Sequence, residues 1–123
     1  MVKLSLVIPC FNEGENLPLL LERCAQVLSR ENIEIVIVDN GSIDDSQTIL
    51  KETLINYPFV KMVHVQKNQG YGHGILEGLK NASGEILSWT HADMQTDPGD
   101  ALEALKFFEK TSTPERVLVK GRR

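Results

Sequence analysis

Residues 85–98, EILSWTHADMQTDP, set a short apolar run directly before His91, Asp93, Gln95 and Asp97. All of these side chains can meet a cation or a phosphate. An apolar strand that delivers carboxylates at its C-terminal end is how open α/β sheets present a divalent ion to a phosphate. If the segment stays extended or turns gently, His91, Asp93 and Gln95 alternate onto one side and converge on one ion. The plain alternative is a strand end followed by a polar loop, with Asp97-Pro98 opening the next helix.

The pattern along the chain supplies the elements that must hold these residues. Residues 3–8 are a β-branched and aliphatic run ended by Pro9. Leu17, Leu20, Leu21, Cys24, Ala25 and Leu28 follow at helical spacing, with Pro18 tolerable in a first turn. Residues 33–39, IEIVIVD, read as a buried parallel strand. Asn40-Gly41-Ser42 breaks it, and Ser42 or Asp44 can cap a helix carrying Ile49, Leu50, Leu54 and Tyr57 up to Pro58. Residues 60–65 form a third strand. A helix over 72–82 turns Ile75, Leu76 and Leu79 inward and closes at Ser83-Gly84. Residues 85–89 make the fourth strand, Leu102, Leu105 and Phe108 mark a fourth helix, and 117–120 read as a fifth strand. This rhythm specifies right-handed βαβ units and a parallel sheet covered on both faces. A sheet that ends on an uncovered strand is expected to associate or to be unstable alone.

Ligands of open α/β sheets sit outside the carboxyl ends of the strands. Those ends read Pro9-Cys10-Phe11-Asn12-Glu13, Asp39-Asn40-Gly41-Ser42, Asn68-Gln69-Gly70-Tyr71-Gly72 and His91 to Asp97. Asp39 can accept from a ribose hydroxyl or a base edge, or simply cap a strand–helix turn. Gly70, Gly72 and Gly74 permit close backbone approach but lie too late for a dinucleotide fingerprint, and no P-loop motif occurs. His64 reads as a sheet-face side chain, His73 as solvated, and Trp89 as core. Lys106, Glu109 and Lys110 form a solvated helix face, and Ser42 has no evident base partner.

The 123 residues suit one small domain. With 13 Lys+Arg against 17 Asp+Glu the chain lacks the basic balance of a nucleic-acid binder. No apolar run reaches the roughly 18–20 residues that span a bilayer, and residues 1–9 read as a strand rather than a signal peptide. Cys10 and Cys24 fit reduced cytosolic thiols.

Taken together, VIPCFNE (7–13), VDNGSIDDS (38–46), NQGYGHG (68–74), THADMQTDP (90–98) and VKGRR (119–123) resemble the family 2 glycosyltransferases with the GT-A fold. That group includes polyprenyl-phosphate sugar synthases and surface-glycan transferases. The motifs stand in the family's order and span nearly the whole chain. The resemblance implies a doubly wound, mostly parallel α/β sheet with a Rossmann-like nucleotide-binding half. It implies that Pro9, Phe11, Asn12 and Glu13 line the nucleotide pocket, that Asp39 holds the base or ribose, and that Asn68 and Gly70 also contact substrate. His91-Ala92-Asp93 matches the family's Asp-x-Asp metal motif, so Asp93, Gln95 and His91 would meet Mg²⁺ or Mn²⁺ and the diphosphate. His91 departs from the acidic pattern, lowering the site's charge while still able to bind Mn²⁺ as a neutral imidazole. Arg123 falls where the family often has an arginine for the donor's phosphates.

The implied protein is an inverting, metal-dependent glycosyltransferase of surface-polysaccharide biosynthesis, using a nucleotide-diphosphate sugar donor and a lipid-phosphate or glycan acceptor. Residues 1–123 would be a single nucleotide-diphospho-sugar-binding domain, incomplete at its C-terminal end, cytoplasmic and close to the inner face of a membrane. In this family the later half supplies the acceptor site and the base, so no general base is assigned. Two other readings stay open: a non-catalytic nucleotide-binding remnant of the same fold, and a phosphate-handling protein of receiver or phosphatase type.

Overall fold

The alternating signals resolve, in a computed structural model describing residues 2–28, 32–93 and 95–121, into parallel strands joined by helices. The strands are β1 (Leu4–Cys10), β2 (Ile33–Asn40), β3 (Val60–Val65) and β4 (Ile86–Trp89). The helices are α1 (Leu17–Leu28), α2 (Ser46–Thr53), α3 (Tyr71–Lys80) and α4 (Asp100–Glu109). The strands form one sheet in the order β3-β2-β1-β4, and every pairing is parallel. The doubly wound expectation holds.

Strand β1 is buried along its whole length because it has a strand on each edge and helices on both faces. Its alternation divides the core. Leu4, Leu6, Ile8 and Cys10 meet Leu17, Leu20, Leu21, Cys24 and Leu28 of α1 on one face. Val7 joins Val36, Val38 and Val65 on the other, under Leu79 and Ala82. Each large aliphatic side chain withdrawn in this way is worth about 1.5–3 kcal/mol.

Helix α3 departs from the expected packing. Gly74 and Gly78 are its buried positions, and Leu76 is 57% exposed. A Cβ on Gly78 would collide with the Val7 and Val38 side chains, so a glycine stripe lets this helix lie close on β1 and β2. Of the leucines expected to face inward, Leu79 packs on this core and Leu76 does not.

Other expectations also change. Residues 117–120 form no strand: a 3-10 turn at Pro114–Arg116 leads into a coil through Gly121. Val117 is extended, but β4 pairs only with β1 and offers these residues no ladder. Trp89 is not core; as the last residue of an edge strand it is 51% exposed. The N-cap of α2 is Asp45 rather than Ser42 or Asp44, and it makes no side-chain capping bond. Ser42 Oγ and Asp44 Oδ2 instead accept from Asn12 N and Gly14 N, across in the loop after β1.

At the opposite end of the sheet, Glu34 gathers polar groups. Its carboxylate accepts from Ser5 Oγ (2.6 Å), Ser83 N (2.6 Å) and Ser83 Oγ (2.9 Å), with Lys61 Nζ at 3.6 Å. Burial, the largest single influence, pushes this carboxyl up, but Ser5, Ser83 and Lys61 together outweigh it and hold it below its usual range. A carboxyl whose pKa falls on folding contributes stability above its unfolded value, about 4.3, and loses it as pH drops through the lowered folded value. Glu34→Ala should therefore cost roughly 1–3 kcal/mol at neutral pH, with the deficit shrinking below about pH 4. Urea unfolding at neutral and acidic pH checks both points; a pH-independent deficit would contradict the ionic origin.

Candidate functional site

The order of the sheet reverses at β1, which continues to β2 on one side and to β4 on the other. Loops leaving the carboxyl ends of β1 and β4 therefore diverge and open a crevice, the usual ligand position in such sheets. A cleft of about 190 Å³ lies on the β2 side of this switch, at the carboxyl ends of β1, β2 and β3, lined by Pro9, Cys10, Phe11, Asn40, Asn68 and Tyr71. It holds a ring rather than a whole ligand, since complete small-molecule sites run to about 300 Å³ or more. A larger groove of about 1040 Å³ runs along the open side of β4 and α4 past Trp89, Phe107 and Leu118. Its apolar walls bring together none of the loop residues of the first three strands, so the smaller cleft is the chemical candidate.

The structure places Pro9, Phe11 and Asn68 at the cleft together with Tyr71 and Asn40. Phe11 and Tyr71 are 43% and 44% exposed, leaving apolar ring surface for a ligand. Asn12 does not face the cleft. With φ at 53°, it turns its Oδ1 to accept from Ile43 N (2.8 Å) and Asp44 N (3.1 Å), stitching the β1 and β2 loops together. Glu13 accepts from Asn16 Nδ2 at 2.8 Å and its carbonyl receives Leu17 N, which starts α1.

Asp39 is fully buried. Its Oδ1 accepts from Ser42 N at 3.2 Å and its Oδ2 lies 3.1 Å from His64 Nδ1. Sequence reasoning left His64 on a sheet face; the signal it missed was the parallel register, which pairs His64 with Asp39 directly. Asn40 is the second overlooked residue. Its Nδ2 donates to Gly70 O at 3.0 Å and reaches Asn68 Oδ1 at 3.4 Å, while Asn68 Oδ1 accepts from Gly70 N at 2.7 Å. Two oxygens on one side fix the orientation of the Asn40 amide. Gly70, at φ 103°, thereby begins α3 in a conformation that favours glycine.

After β4 the chain does not stay extended. Asp93 Oδ1 accepts from Gln95 N at 3.1 Å, and Thr90 and Thr96 hydroxyls meet at 2.8 Å across the neck of the loop. This tight turn breaks the alternation expected of His91, Asp93 and Gln95, and the Gln95 side chain is exposed. His91 Nδ1 lies 3.1 Å from the Tyr71 hydroxyl, with the rings stacked. Among the described residues no three of His, Cys, Asp and Glu come together as a metal cage. A donor set of one carboxylate and one imidazole suits Mn²⁺ better than Mg²⁺, the rest of the shell being left to phosphate oxygens and water. The expectation for Arg123 lies outside the described residues.

Both thiols are free and buried. Burial first, then Glu13 and Asp39, push the Cys10 thiol far up. Burial and then Asp97 push Cys24 up to about 12. Neither supplies a thiolate nucleophile near neutral pH.

The fold and its loops define a doubly wound α/β protein with its ligand crevice at the strand switch. The profile of Glycosyl transferase family 2 matches residues 5–115, and the chain belongs to that family. It is 37% identical over 97 residues to a dolichol-phosphate mannosyltransferase of Pyrococcus furiosus, covering 79% of this chain and 27% of the relative. It is 35% identical over 119 residues to an undecaprenyl-phosphate 4-deoxy-4-formamido-L-arabinose transferase of Pseudomonas fluorescens, covering 89% and 34%. The chain thus spans about a third of the length of these relatives. Among solved structures, a mannosyltransferase of Pyrobaculum calidifontis in complex with GDP-Man and Mn²⁺ superposes at TM-score 0.78 with 23% identity, over 90% of this chain and 33% of the other. The S. aureus TarS fragment 1-349 in complex with UDP gives 0.74 and 23%, over 89% and 32%. These neighbours are GT-A glycosyltransferases, in line with the expected fold.

Asp97 proves to be an anchor. It pairs with Arg23 of α1 through both oxygens, at 3.0 Å from Nε and 2.8 Å from Nη2, and accepts from Gly99 N at 3.2 Å. The Arg23 guanidinium holds its carboxyl below the usual range. A lowered carboxyl contributes stability above its unfolded value and loses it as pH falls through the folded one; the pair is also half-exposed and screened. Asp97→Asn should lower the melting temperature slightly, with the difference fading at acidic pH and in high salt, while ligand binding persists. Differential scanning calorimetry across pH and salt is the check.

Proposed function

We propose that this chain is the nucleotide-sugar-binding part of an inverting, Mg²⁺- or Mn²⁺-dependent glycosyltransferase that moves a sugar from a nucleoside-diphosphate donor to a lipid-phosphate or glycan acceptor. The observation that carries the reading is the convergence of the loops after β1, β2 and β3 on one cleft, with the β4 loop joined to it through the contact of His91 with Tyr71. Relatives named as transferases to dolichol and undecaprenyl phosphates support a lipid-phosphate acceptor. Neighbours solved with GDP-Man and Mn²⁺ and with UDP support the donor and the metal. Such an enzyme would serve surface-polysaccharide synthesis from the cytoplasmic face of a membrane. No helix among the described residues is long and apolar enough to cross one.

In this reading Pro9, Phe11 and Tyr71 form the apolar walls against the base. Asn68 offers polar contact at the rim, and Gly70 lets the backbone come close. Asp39, held from below by His64 and Ser42, fixes the β2 loop that shapes the floor. Asp93 and His91, with Gln95 in the same loop, are the residues that would hold a divalent ion. Such an ion would supply charge compensation for the departing nucleoside diphosphate. The acceptor oxygen bonds to the anomeric carbon as the bond to the diphosphate breaks on the opposite face. A lipid phosphate is already anionic and needs little help from a base, whereas a hydroxyl acceptor needs one.

Calorimetry of the chain with UDP and GDP, in Mn²⁺ and in chelator, tests this. Binding should require the metal, and Asp93→Asn should weaken it at least about tenfold, roughly 1.4 kcal/mol, with unfolding temperature little changed. Binding that is absent, or equal with and without metal, would overturn the assignment.

A further inference from the structure

The contact between Tyr71 and His91 joins two loops that the sequence keeps apart. Tyr71 is the first residue of α3, and His91 follows β4. Their rings stack with centroids 5.2 Å apart and planes 13° from parallel, and the hydroxyl lies 3.1 Å from His91 Nδ1. Tyr71 also lines the cleft. Its place is set in turn by Gly70, whose carbonyl oxygen receives Asn40 Nδ2 at 3.0 Å. A continuous line of contacts therefore runs from the end of β2 through the start of α3 to the loop that carries Asp93.

We propose that Tyr71 is a positioning residue that makes His91 a nitrogen ligand through Nε2, and that this pair gives the site a preference for Mn²⁺ over Mg²⁺. The inference rests on the metal-dependent reading above. An imidazole can bind a cation through one nitrogen only if the proton sits on the other. Partners that accept that proton and hold the ring are the usual support of metal-bound histidines. The Tyr71 hydroxyl lies 3.1 Å from Nδ1, within reach to accept when the proton sits there, and the stacked ring holds the imidazole plane. Exchanging one carboxylate for an imidazole removes a negative charge and a hard oxygen. Both changes disfavour Mg²⁺, which demands oxygen ligands, more than Mn²⁺, which accepts imidazole more readily.

Electron spin-echo spectroscopy of Mn²⁺ bound with UDP reads the ligand directly. The full chain, uniformly labelled with ¹⁵N and given unlabelled UDP, separates protein nitrogen from base nitrogen. The expected result is modulation from a directly bound protein nitrogen, lost in His91→Asp. Calorimetry should show His91→Asp shifting preference toward Mg²⁺. Tyr71→Phe keeps the ring and removes the hydroxyl. It should weaken Mn²⁺ binding roughly 10–100-fold, as expected for loss of a partner behind a metal-bound histidine, with unfolding temperature unchanged. Mn²⁺ bound without protein-nitrogen modulation would overturn the ligand assignment and leave the metal-dependent reading standing. Tyr71→Phe binding Mn²⁺ as tightly as the parent would overturn the positioning role. Absence of any Mn²⁺-dependent UDP binding would overturn the inference together with the reading beneath it.

Discussion

Everything at the candidate site depends on β1 being paired on both edges. Its register with β2 runs from Leu4 to Cys10 and with β4 from Leu4 to Val7. The ladder with β4 ends at Val7 whereas the ladder with β2 runs on to Cys10, so the β4 loop leaves the sheet earlier while the β1 and β2 loops stay side by side. That difference in length, enforced by buried ladders that cannot slip by one residue without exposing a core face, sets where His91 and Asp93 stand relative to Phe11 and Asn40.

The two ends of the sheet divide stability from function. At the amino ends of the strands, Glu34 binds Ser5 and Ser83 in a closed arrangement whose polar groups satisfy one another. At the carboxyl ends, Asn40 Oδ1 is buried with no protein partner, and exposed rings border a cleft. A buried acceptor without a donor costs free energy, and folded proteins tolerate such groups mostly where a ligand or water completes them.

The sheet was legible because its signal is redundant. A continuous apolar run such as IEIVIVD leaves few choices but a covered parallel strand, and the helix between two such runs fixes the crossover. The illegible parts depend on neighbours rather than on a residue's own pattern. Val117 to Lys120 carry strand propensity without a partner ladder, and Trp89 has apolar character at a sheet edge. The inward face of α3 is set by the room that Gly74 and Gly78 leave over β1 and β2, which leucine spacing cannot report. At the site, residue type announced polar chemistry in the right loops but not its direction. Asn12 and Asp39 are polar residues at strand ends, and both spend their oxygens on the protein.

That inward spending has a physical cause. The residues with positive φ among those described are Asn12, Gly41 and Gly70, one in each loop leaving β1, β2 and β3. Each loop must leave a buried ladder and reverse quickly, and left-handed backbone accomplishes this in one residue at a cost in strain. For glycine the cost is small, but Asn12 carries a side chain and needs compensation, which its Oδ1 obtains from Ile43 N and Asp44 N. Gly41 packs so closely on the backbone of Lys67 and Asn68 that a Cβ would not fit, which brings the β2 and β3 loops together. The asparagines and Asp39 are therefore the means by which strained loops are held in one conformation. Being held, those loops can keep the rings of Phe11 and Tyr71 in place at the cleft without first having to be ordered by a ligand.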